Sequence, residues 1–254
     1  MDISISKADG ILNIGFNRPV RKNAITSAMY QSMAEAFIEG EADVAVRVIL
    51  LTGAPEIFTA GNDLEDFIKN PPAGTNSPVV RYMTALSGAT KPVVAAVSGA
   101  AVGIGTTLLM HCDLVYAADN AKFSMPFTQL GLCPEFASSV LLPRLAGYHR
   151  AAEKLMLGEA FMADEAQAMG IVNKVLPLAE LLPYATAQAA KLAALPASSI
   201  RITKQLMRSG QQTDLSTVML KEMQHFGQML ETPEAKEAFQ AFFEKRKPNF
   251  KQFA

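Results

Sequence analysis

The sequence predicts an α/β protein whose C-terminal region is helical. Over the first two-thirds of the chain, short β-branched segments alternate with helical ones, and after Pro134 the pattern is almost wholly helical. With 254 residues, 50% of them hydrophobic, the chain has ample material for one large core. We therefore expect a core over residues 1–200 and a helical C-terminal region over residues 201–254.

Short β-branched or continuous apolar runs indicate the strands of this core. The first two runs are bounded by polar or glycine residues, and a later run, PVVAAV, is wholly apolar, as in a strand covered on both faces. The predicted strands span residues 11–16, 46–52, 92–97 and 113–117.

Helices are predicted between and after these strands. Met29, Met33 and Phe37 recur at four-residue spacing, which predicts a helix over residues 26–41 with one apolar face. Proline, glycine and asparagine at 70–78 predict a loop. The remaining predicted elements are a short strand at 172–175 and helices at 103–111, 149–157, 163–169, 179–194, 197–208 and 233–247.

Charge and composition argue against several classes of function. The formal net charge is −1, from 23 basic and 24 acidic residues, whereas binding nucleic acid needs a basic surplus on some face. No apolar run approaches the ~20 residues of a membrane helix, and no secretory signal pattern is visible. We therefore expect a cytoplasmic protein without nucleic-acid or membrane partners, whose Cys112 and Cys133 are reduced thiols.

Two glycine-containing turns, at 58–64 (FTAGNDL) and 98–107 (SGAAVGIGTT), each follow a strand and open a helix. Free N–H groups at a helix start can donate to an anion, and two such turns can aim two donors at one oxygen. The second turn has neither Gly-x-Gly-x-x-Gly nor Gly-Lys-Ser/Thr, so it is not a nucleotide loop. The structural alternatives are an ordinary turn ending at Asp63 and close helix packing at Gly103 and Gly105.

The segment LCPEFASS, at 132–139, contains a candidate acid or base. Pro134 favours a helix start, so we expect Glu135 in the first turn of a helix. A carboxylate there can simply stabilise the helix dipole, and local sequence alone favours that role. The neighbouring Cys133 has no evident histidine partner and is expected to serve packing. The histidines are isolated in sequence, so no metal site is expected.

Taken together and in this order, several segments resemble the enoyl-CoA hydratase/isomerase, or crotonase, superfamily. These segments are NRP with KNA at 17–24, the turns at 58–64 and 99–113, the helix exit at 163–172 and the tail FFEKRKPNF. The resemblance covers nearly the whole chain. It implies a β-β-α superhelical spiral core, a helical C-terminal trimerisation region, and a homotrimer or a dimer of trimers.

The resemblance also implies that the substrate is an acyl-CoA thioester, with coenzyme A as part of the substrate and no separate cofactor. By position, the backbone N–H groups of Asn62 and Ile104 would hold the thioester oxygen. Lys22 and Ala24 would lie near the adenine, and Lys247 or Lys251 is a candidate for the CoA phosphates. The other substrate-binding residues that the resemblance implies are Ala60, Gly61, Asp63, Leu64, Gly103, Phe127 and Leu130.

The carboxyl groups that hydratases use are missing at the positions that the resemblance assigns to them. Those positions hold Thr107 and Phe127, and neither side chain can serve as the acid or base of a hydration. Residues 130–139 (LGLCPEFASS) instead resemble the Leu-Gly-x-x-Pro-Glu-x-x-Ser-Ser motif of the peroxisomal-type Δ3,Δ2-enoyl-CoA isomerases. A double-bond shift needs only one base, so the resemblance implies that Glu135 transfers the proton.

An apolar pocket around Phe127, Leu130 and Phe136 is expected to raise the pKa of the Glu135 carboxyl and to exclude water. Two alternatives stay open. The first is another crotonase-type reaction, either weak hydration or thioester hydrolysis. The second is an acyl-CoA-binding relative without catalysis.

Overall fold

The computed structural model describes residues 1–71, 74–209 and 214–253, and it confirms the α/β class. Ten strands form two sheets within these residues. The strands are β1 (Ile3–Ala8), β2 (Ile11–Phe16), β3 (Val48–Thr52), β4 (Ile57–Thr59), β5 (Val93–Val97), β6 (Ala100–Val102), β7 (Leu114–Ala118), β8 (Lys122–Ser124), β9 (Phe161–Met162) and β10 (Lys174–Leu176).

Helices follow the strands and then fill the C-terminal part of the chain. None of the helices within the described ranges combines the length and apolar character that crossing a bilayer requires. The α-helices are α1 (Ser27–Ala42), α2 (Leu64–Lys69), α3 (Pro78–Ser87), α4 (Ile104–Thr107), α5 (Ser138–Ala146), α6 (Tyr148–Leu157), α7 (Ala163–Ala168), α8 (Leu178–Ala194), α9 (Ala197–Ser209), α10 (Leu215–Leu230) and α11 (Pro233–Phe243).

The two sheets take alternate strands from the chain. The large sheet has the order β1-β2-β3-β5-β7-β10, parallel except for the β1–β2 pair, and the small sheet has the order β4-β6-β8-β9, parallel except for the β8–β9 pair. From β3 to β8, each turn of the chain therefore gives one strand to the large sheet and the next to the small sheet. This repeat is the expected β-β-α spiral.

Both faces of the large sheet are buried, as the apolar strands predict. Side chains alternate along β3: Ile49 and Leu51 join the main core, which also contains α1 and α3, while Val48 and Leu50 pack with α8 in a second cluster. Helix α1 begins after Thr26, whose side chain accepts a hydrogen bond from the Met29 N–H at 3.3 Å. The predicted apolar face of α1 is confirmed, because its methionines and phenylalanine are buried.

Some short elements differ from the prediction. Strands β1, β4, β6, β8 and β9 were not predicted. The last four have two or three residues, too few to show periodicity, and β1 is an edge strand in which only Ile3 is buried. The predicted helix at 103–111 is divided into α4 and a 3-10 turn over Leu108–His111. The predicted strand at 172–175 begins later, at Lys174, because the Asn173 side chain accepts a hydrogen bond from the Val115 N–H (2.7 Å) ahead of the regular pairing.

The C-terminal helices are anchored on the spiral by buried polar contacts. The Lys204 ammonium of α9 lies 2.6 Å from the Asp113 carboxylate and 2.7 Å from the Lys91 carbonyl oxygen. The predicted boundary at residue 200 falls within α9, and the division into core and C-terminal region stays a prediction. Of the predicted loop at 70–78, residues 72 and 73 lie outside the described residues.

Candidate active site

Three strand ends of the small sheet meet at one cavity. Strands β4, β6 and β8 are parallel neighbours, so their carboxyl ends lie at the same edge of the sheet. The segments 60–64, 103–104 and 126–130, which follow these strands, contribute residues to a cavity of about 750 Å³. The topology therefore brings together turns that lie far apart in sequence.

Twelve of the residues predicted from sequence line this one cavity. They are Lys22, Ala24, Ala60, Gly61, Asn62, Asp63, Leu64, Gly103, Ile104, Phe127, Leu130 and Glu135. Lys247 lines it as well, whereas Lys251 is not among its lining residues. Sequence reasoning missed the aromatic wall from the C-terminal helices, formed by Phe226 of α10 and by Phe239 and Phe242 of α11. In the sequence these residues are visible only as part of an apolar helical face, and such a pattern does not show which surface the face packs against.

The two glycine turns contact each other. Gly61 has a φ of +83°, and a Cβ atom at that position would lie 2.7 Å from the carbonyl oxygen of Val102 on the second turn. Within the described ranges, the backbone N–H groups of Asn62 and Ile104 have no acceptor. Two unused donors therefore lie on adjoining turns of one cavity.

Neighbouring contacts hold the first of these donors in place. Ile25 forms a parallel bridge with Asn62, in which the Ile25 N–H donates to the Gly61 carbonyl at 2.8 Å and the Asp63 N–H donates to the Ile25 carbonyl at 2.9 Å. The Asn62 side chain is held by the Tyr30 hydroxyl, which donates to Oδ1 at 2.5 Å. The Asn62 backbone is thus fixed while its own N–H stays available.

The Asp63 carboxylate has a structural task. It accepts hydrogen bonds from the N–H groups of Glu65 (3.1 Å) and Asp66 (3.2 Å) at the start of α2, and it pairs with Arg18 at 2.7 Å. Burial raises the pKa of Asp63, but the hydrogen bonds from Arg18 and Asp66 outweigh it and leave the pKa below its ordinary value. Asp63 is therefore an ionised cap that shapes the first turn.

Glu135 is not in a helix, and the prediction of a first-turn position is wrong. Helix α5 begins at Ser138, and the two residues that follow Glu135, Phe136 and Ala137, have φ of +58° and +56°. This left-handed backbone is incompatible with an α-helix of L-residues. The Ser138 hydroxyl donates to the Glu135 carbonyl at 2.6 Å and closes the turn.

The Glu135 carboxyl is buried beside the cavity. Only 8% of the residue is exposed, and its Oε1 has no hydrogen-bond partner among the described residues. Burial raises the pKa of this carboxyl to about 8, and the charge of Glu222 adds to the rise. Phe127 and Leu130 line the cavity as predicted. The predicted placement of Phe136 there is wrong: its ring stacks on the His111 ring, with 3.9 Å between the ring centroids, and it is not among the cavity-lining residues.

Glu222 of α10 is a second buried carboxyl that sequence reasoning missed. It accepts hydrogen bonds from the Ala137 N–H (2.5 Å), the Ser139 N–H (3.1 Å) and the Ser139 hydroxyl. Cys133 also contacts α10, since its Sγ lies 3.6 Å from the Glu222 carbonyl oxygen, and burial raises the pKa of its thiol to about 11. An un-ionised thiol agrees with the predicted packing role.

Basic side chains surround the cavity mouth. Arg21 pairs with Glu65 at 3.1 Å, and Arg246 pairs with Glu237, so both guanidinium groups are already neutralised. Lys22 and Lys247 also line the cavity, and in the described part of the chain neither forms an ion pair. These lysines leave positive charge available to an anionic ligand.

Metal-ligand clusters are not found among the residues that the structure describes. The most buried histidine, His111, has its Nε2 2.8 Å from the Phe136 carbonyl oxygen, and burial lowers its pKa to about 4. His111 is therefore neutral near pH 7 and supports the turn after Glu135.

Comparisons with known proteins agree with this architecture. The enoyl-CoA hydratase/isomerase family model matches residues 6–253. The structure of Pseudomonas aeruginosa OdaA is similar with a TM-score of 0.92 and 47% identity, over 95% of this chain and 98% of that one.

Two relatives have names that state different reactions. Enoyl-CoA delta isomerase 2 of Rattus norvegicus is 38% identical over 87% of this chain, which spans only 58% of the rat protein. The 2,3-dehydroadipyl-CoA hydratase of Escherichia coli K12 is 31% identical over 98% of both chains. The family match spans nearly the whole sequence and the fold agrees with it, so this chain belongs to the enoyl-CoA hydratase/isomerase, or crotonase, superfamily.

Proposed function

We propose that this enzyme is a Δ3,Δ2-enoyl-CoA isomerase, which shifts the double bond of a 3-enoyl-CoA to give the trans-2-enoyl-CoA. One observation carries the proposal. Glu135 is the one buried carboxyl among the described cavity-lining residues that is not engaged in an ion pair or a helix cap, since Asp63 caps α2 and Glu65 is exposed and paired. A single available base suits a proton shift within one substrate.

In the proposed mechanism, the thioester oxygen accepts hydrogen bonds from the Asn62 and Ile104 N–H groups. The Glu135 carboxylate removes a proton from C2, the C2–H electron pair passes into a dienolate, and the two N–H donors stabilise the oxygen charge. Glu135 then returns the proton to C4, so that no atom is gained or lost. The apolar wall of Phe127, Leu130 and the aromatic residues of α10 and α11 keeps water from the dienolate.

A hydratase requires a second proton-transfer group, and the two positions of the family pattern do not supply one. Thr107 is fully buried and its hydroxyl has no partner within the described chain, and Phe127 is apolar.

The decisive experiment is a product analysis with 3-enoyl-CoA, 2-enoyl-CoA and saturated acyl-CoA. Isomerisation of the first substrate alone supports the proposal. Hydration, thioester hydrolysis, or tight binding without turnover would each replace it with one of the alternatives.

The proposed base predicts the pH dependence of the reaction. The pKa of Glu135 is raised to about 8 and its ionised form is the base, so activity is lost as the pH falls through that value. We expect kcat/KM for a 3-enoyl-CoA to rise about tenfold per pH unit below the bend and to level off above it. A profile that is flat from pH 6 to pH 9 would contradict this assignment.

We further propose that Lys247, together with Lys22 at the adenine end, binds the phosphate groups of coenzyme A. Replacing both by alanine is expected to raise KM about tenfold at low salt while kcat changes little, because phosphate contacts remote from the reacting carbon bind substrate and transition state alike. Raising the salt concentration should reduce the difference in KM between the variant and the wild type. Lys236→Ala is the matched control, since this exposed lysine of α11 does not line the cavity. Equal KM values in all three proteins would refute the assignment.

The resemblance supports a proposal for the assembly, and the expected reduced state of Cys112 and Cys133 supports one for the location. We propose a homotrimer or a dimer of trimers in the cytoplasm, with coenzyme A entering as part of the substrate and no separate cofactor. Light scattering at micromolar concentration measures the assembly, and a monomer would contradict it.

A further inference from the structure

We propose that Glu222 of α10 is a positioning residue, which fixes the turn that carries Glu135 and places a negative charge beside the Glu135 carboxyl. This inference rests on the proposed function of Glu135 as the base. Glu222 does not line the cavity and so acts through Glu135 rather than on the substrate.

The anchoring follows from the contacts of the two Glu222 oxygens. Oε2 accepts from the Ala137 N–H at 2.5 Å, and Oε1 accepts from the Ser139 N–H at 3.1 Å and from the Ser139 hydroxyl. Ala137 is the second residue of the left-handed pair and Ser139 lies in the first turn of α5, and neither backbone N–H has another acceptor among the described residues. A strained turn persists only where its surroundings fix it, and Glu222 supplies that restraint from another helix.

The same contacts place the negative charge on Glu222 rather than on Glu135. Two N–H groups and a hydroxyl at a helix start favour the ionised form of Glu222, whereas Oε1 of Glu135 has no donor in the described chain. Burial raises the pKa of Glu222 above its ordinary value although its hydrogen bonds oppose the rise, while for Glu135 burial and the charge of Glu222 both raise the pKa. Before substrate binds, the proton of the pair therefore resides on Glu135.

Three buried titratable groups near this pair stay neutral between pH 5 and pH 9. Burial raises the pKa of Tyr30, on α1, well above 10, and raises that of Cys133, in the preceding loop, to about 11. Burial lowers the pKa of His111, in the 3-10 turn after α4, to about 4. Tyr30, Cys133 and His111 therefore do not respond to pH in this range, and an effect of Glu222 on Glu135 can be read from a pH profile.

The test compares Glu222→Gln with the wild type in isomerase activity from pH 5.5 to pH 9.5. Removing the neighbouring negative charge is expected to move the bend of the kcat profile about one unit towards lower pH. Loss of the restraint is expected to lower the plateau of kcat roughly tenfold or more, with a smaller change in KM. Two results would overturn the proposal. If the plateau of kcat falls but the bend does not move, Glu222 is a purely structural contact. If the variant has the wild-type profile, Glu222 has neither role.

Two further variants separate the anchor from the charge. Ser139→Ala removes one donor and leaves the Glu222 carboxylate, so we expect a lower kcat while the bend of the pH profile stays where it is in the wild type. An unchanged kcat would overturn the anchoring role. This test remains valid even if Glu222→Gln does not fold. Glu231→Gln is the matched control, because this exposed glutamate at the end of α10 also loses a negative charge but does not line the cavity. It should keep the wild-type profile.

A substrate-free measurement separates this inference from the proposed function. The difference in Tm between the wild type and Glu135→Gln reports the ionisation of Glu135 at each pH. In a Glu222→Gln background, the pKa of Glu135 in the folded protein should be lower, so this difference in Tm should be smaller at pH 9 and should stop growing at a lower pH, whatever reaction the enzyme catalyses. If the pH at which the difference levels off does not move, the proposed effect of Glu222 is wrong. If it moves but Glu135→Gln keeps full isomerase activity, only the assigned role of Glu135 is wrong.

Discussion

Glu135→Gln is expected to reduce kcat for 3-enoyl-CoA isomerisation by about 10³-fold, within the range of 10²–10⁴ that a positioned general base contributes. Glutamine fills nearly the same volume in the buried turn but cannot take a proton at C2. Because the donor turns remain intact, KM should stay within a few-fold of the wild type. Rates of 2-enoyl-CoA formation, measured under single-turnover conditions, test the chemical step directly. A variant with the wild-type rate would show that another group is the base.

The stability of the same variant provides the control for folding. The pKa of Glu135 lies near 8 in the folded protein and near 4.5 in the unfolded chain, so folding favours the protonated carboxyl. The wild type keeps this contribution below pH 4.5 and loses it progressively as the pH rises to about 8. Glutamine does not ionise, so Glu135→Gln should unfold at a higher temperature than the wild type at pH 9, by a few kcal/mol in unfolding free energy, and about equally at pH 4.5. An inactive but more stable variant would separate a catalytic defect from misfolding.

Gly61→Ala is expected to lower kcat/KM about 10²-fold, comparable to the loss of one oxyanion donor. Its Cβ would lie 2.7 Å from the Val102 carbonyl oxygen, which belongs to backbone and cannot rotate away. The φ of +83° adds strain for any residue with a side chain. Because Asn62 directly follows Gly61 and Ile104 lies two residues after Val102, the substitution should move the two donors apart. We expect the defect mainly in kcat, since the hydrogen bonds strengthen as the enolate forms.

The matched control for this substitution is Gly227→Ala. Gly227 lies within α10, its φ is not positive, and an added Cβ meets no atom within 4 Å. Alanine there should preserve activity and stabilise the protein by about 0.5–1 kcal/mol, because it favours the helix. If Gly61→Ala were as active as Gly227→Ala, the contact between the two turns would not control catalysis.

The sequence was most informative where chemistry and backbone conformation coincide. The turns at 58–64 and 98–107 combine glycine with a strand-to-helix change, and the structure brings both to one cavity. Order along the chain cannot show that these turns touch, because their contact depends on the pairing of β4 with β6, which are too short to detect. The presence of the site was therefore predictable, but its assembly was not.

The immediate surroundings of Glu135 were predicted less well. Pro134 indicated a helix start, but two left-handed residues delay the helix to Ser138. These residues are Phe and Ala, for which positive φ is rare, so no local preference could have revealed the turn. Glu222 is likewise an ordinary glutamate in an amphipathic helix, and its partners lie 85 and 83 residues earlier. Both features are imposed by tertiary contacts and leave no pattern in the local sequence.

The position of Glu222 also bears on the order in which the protein matures. A chain emerging from the ribosome completes both donor turns and the Glu135 segment long before it contains α10 and α11. Until these helices dock, the Glu135 turn lacks its anchor and the cavity lacks the wall formed by Phe226 and Phe239. A nascent chain therefore lacks the complete cavity until α10 and α11 have docked. An acyl-CoA ester that binds only the completed cavity would stabilise the docked helices by mass action, so the substrate itself would favour the last step of folding.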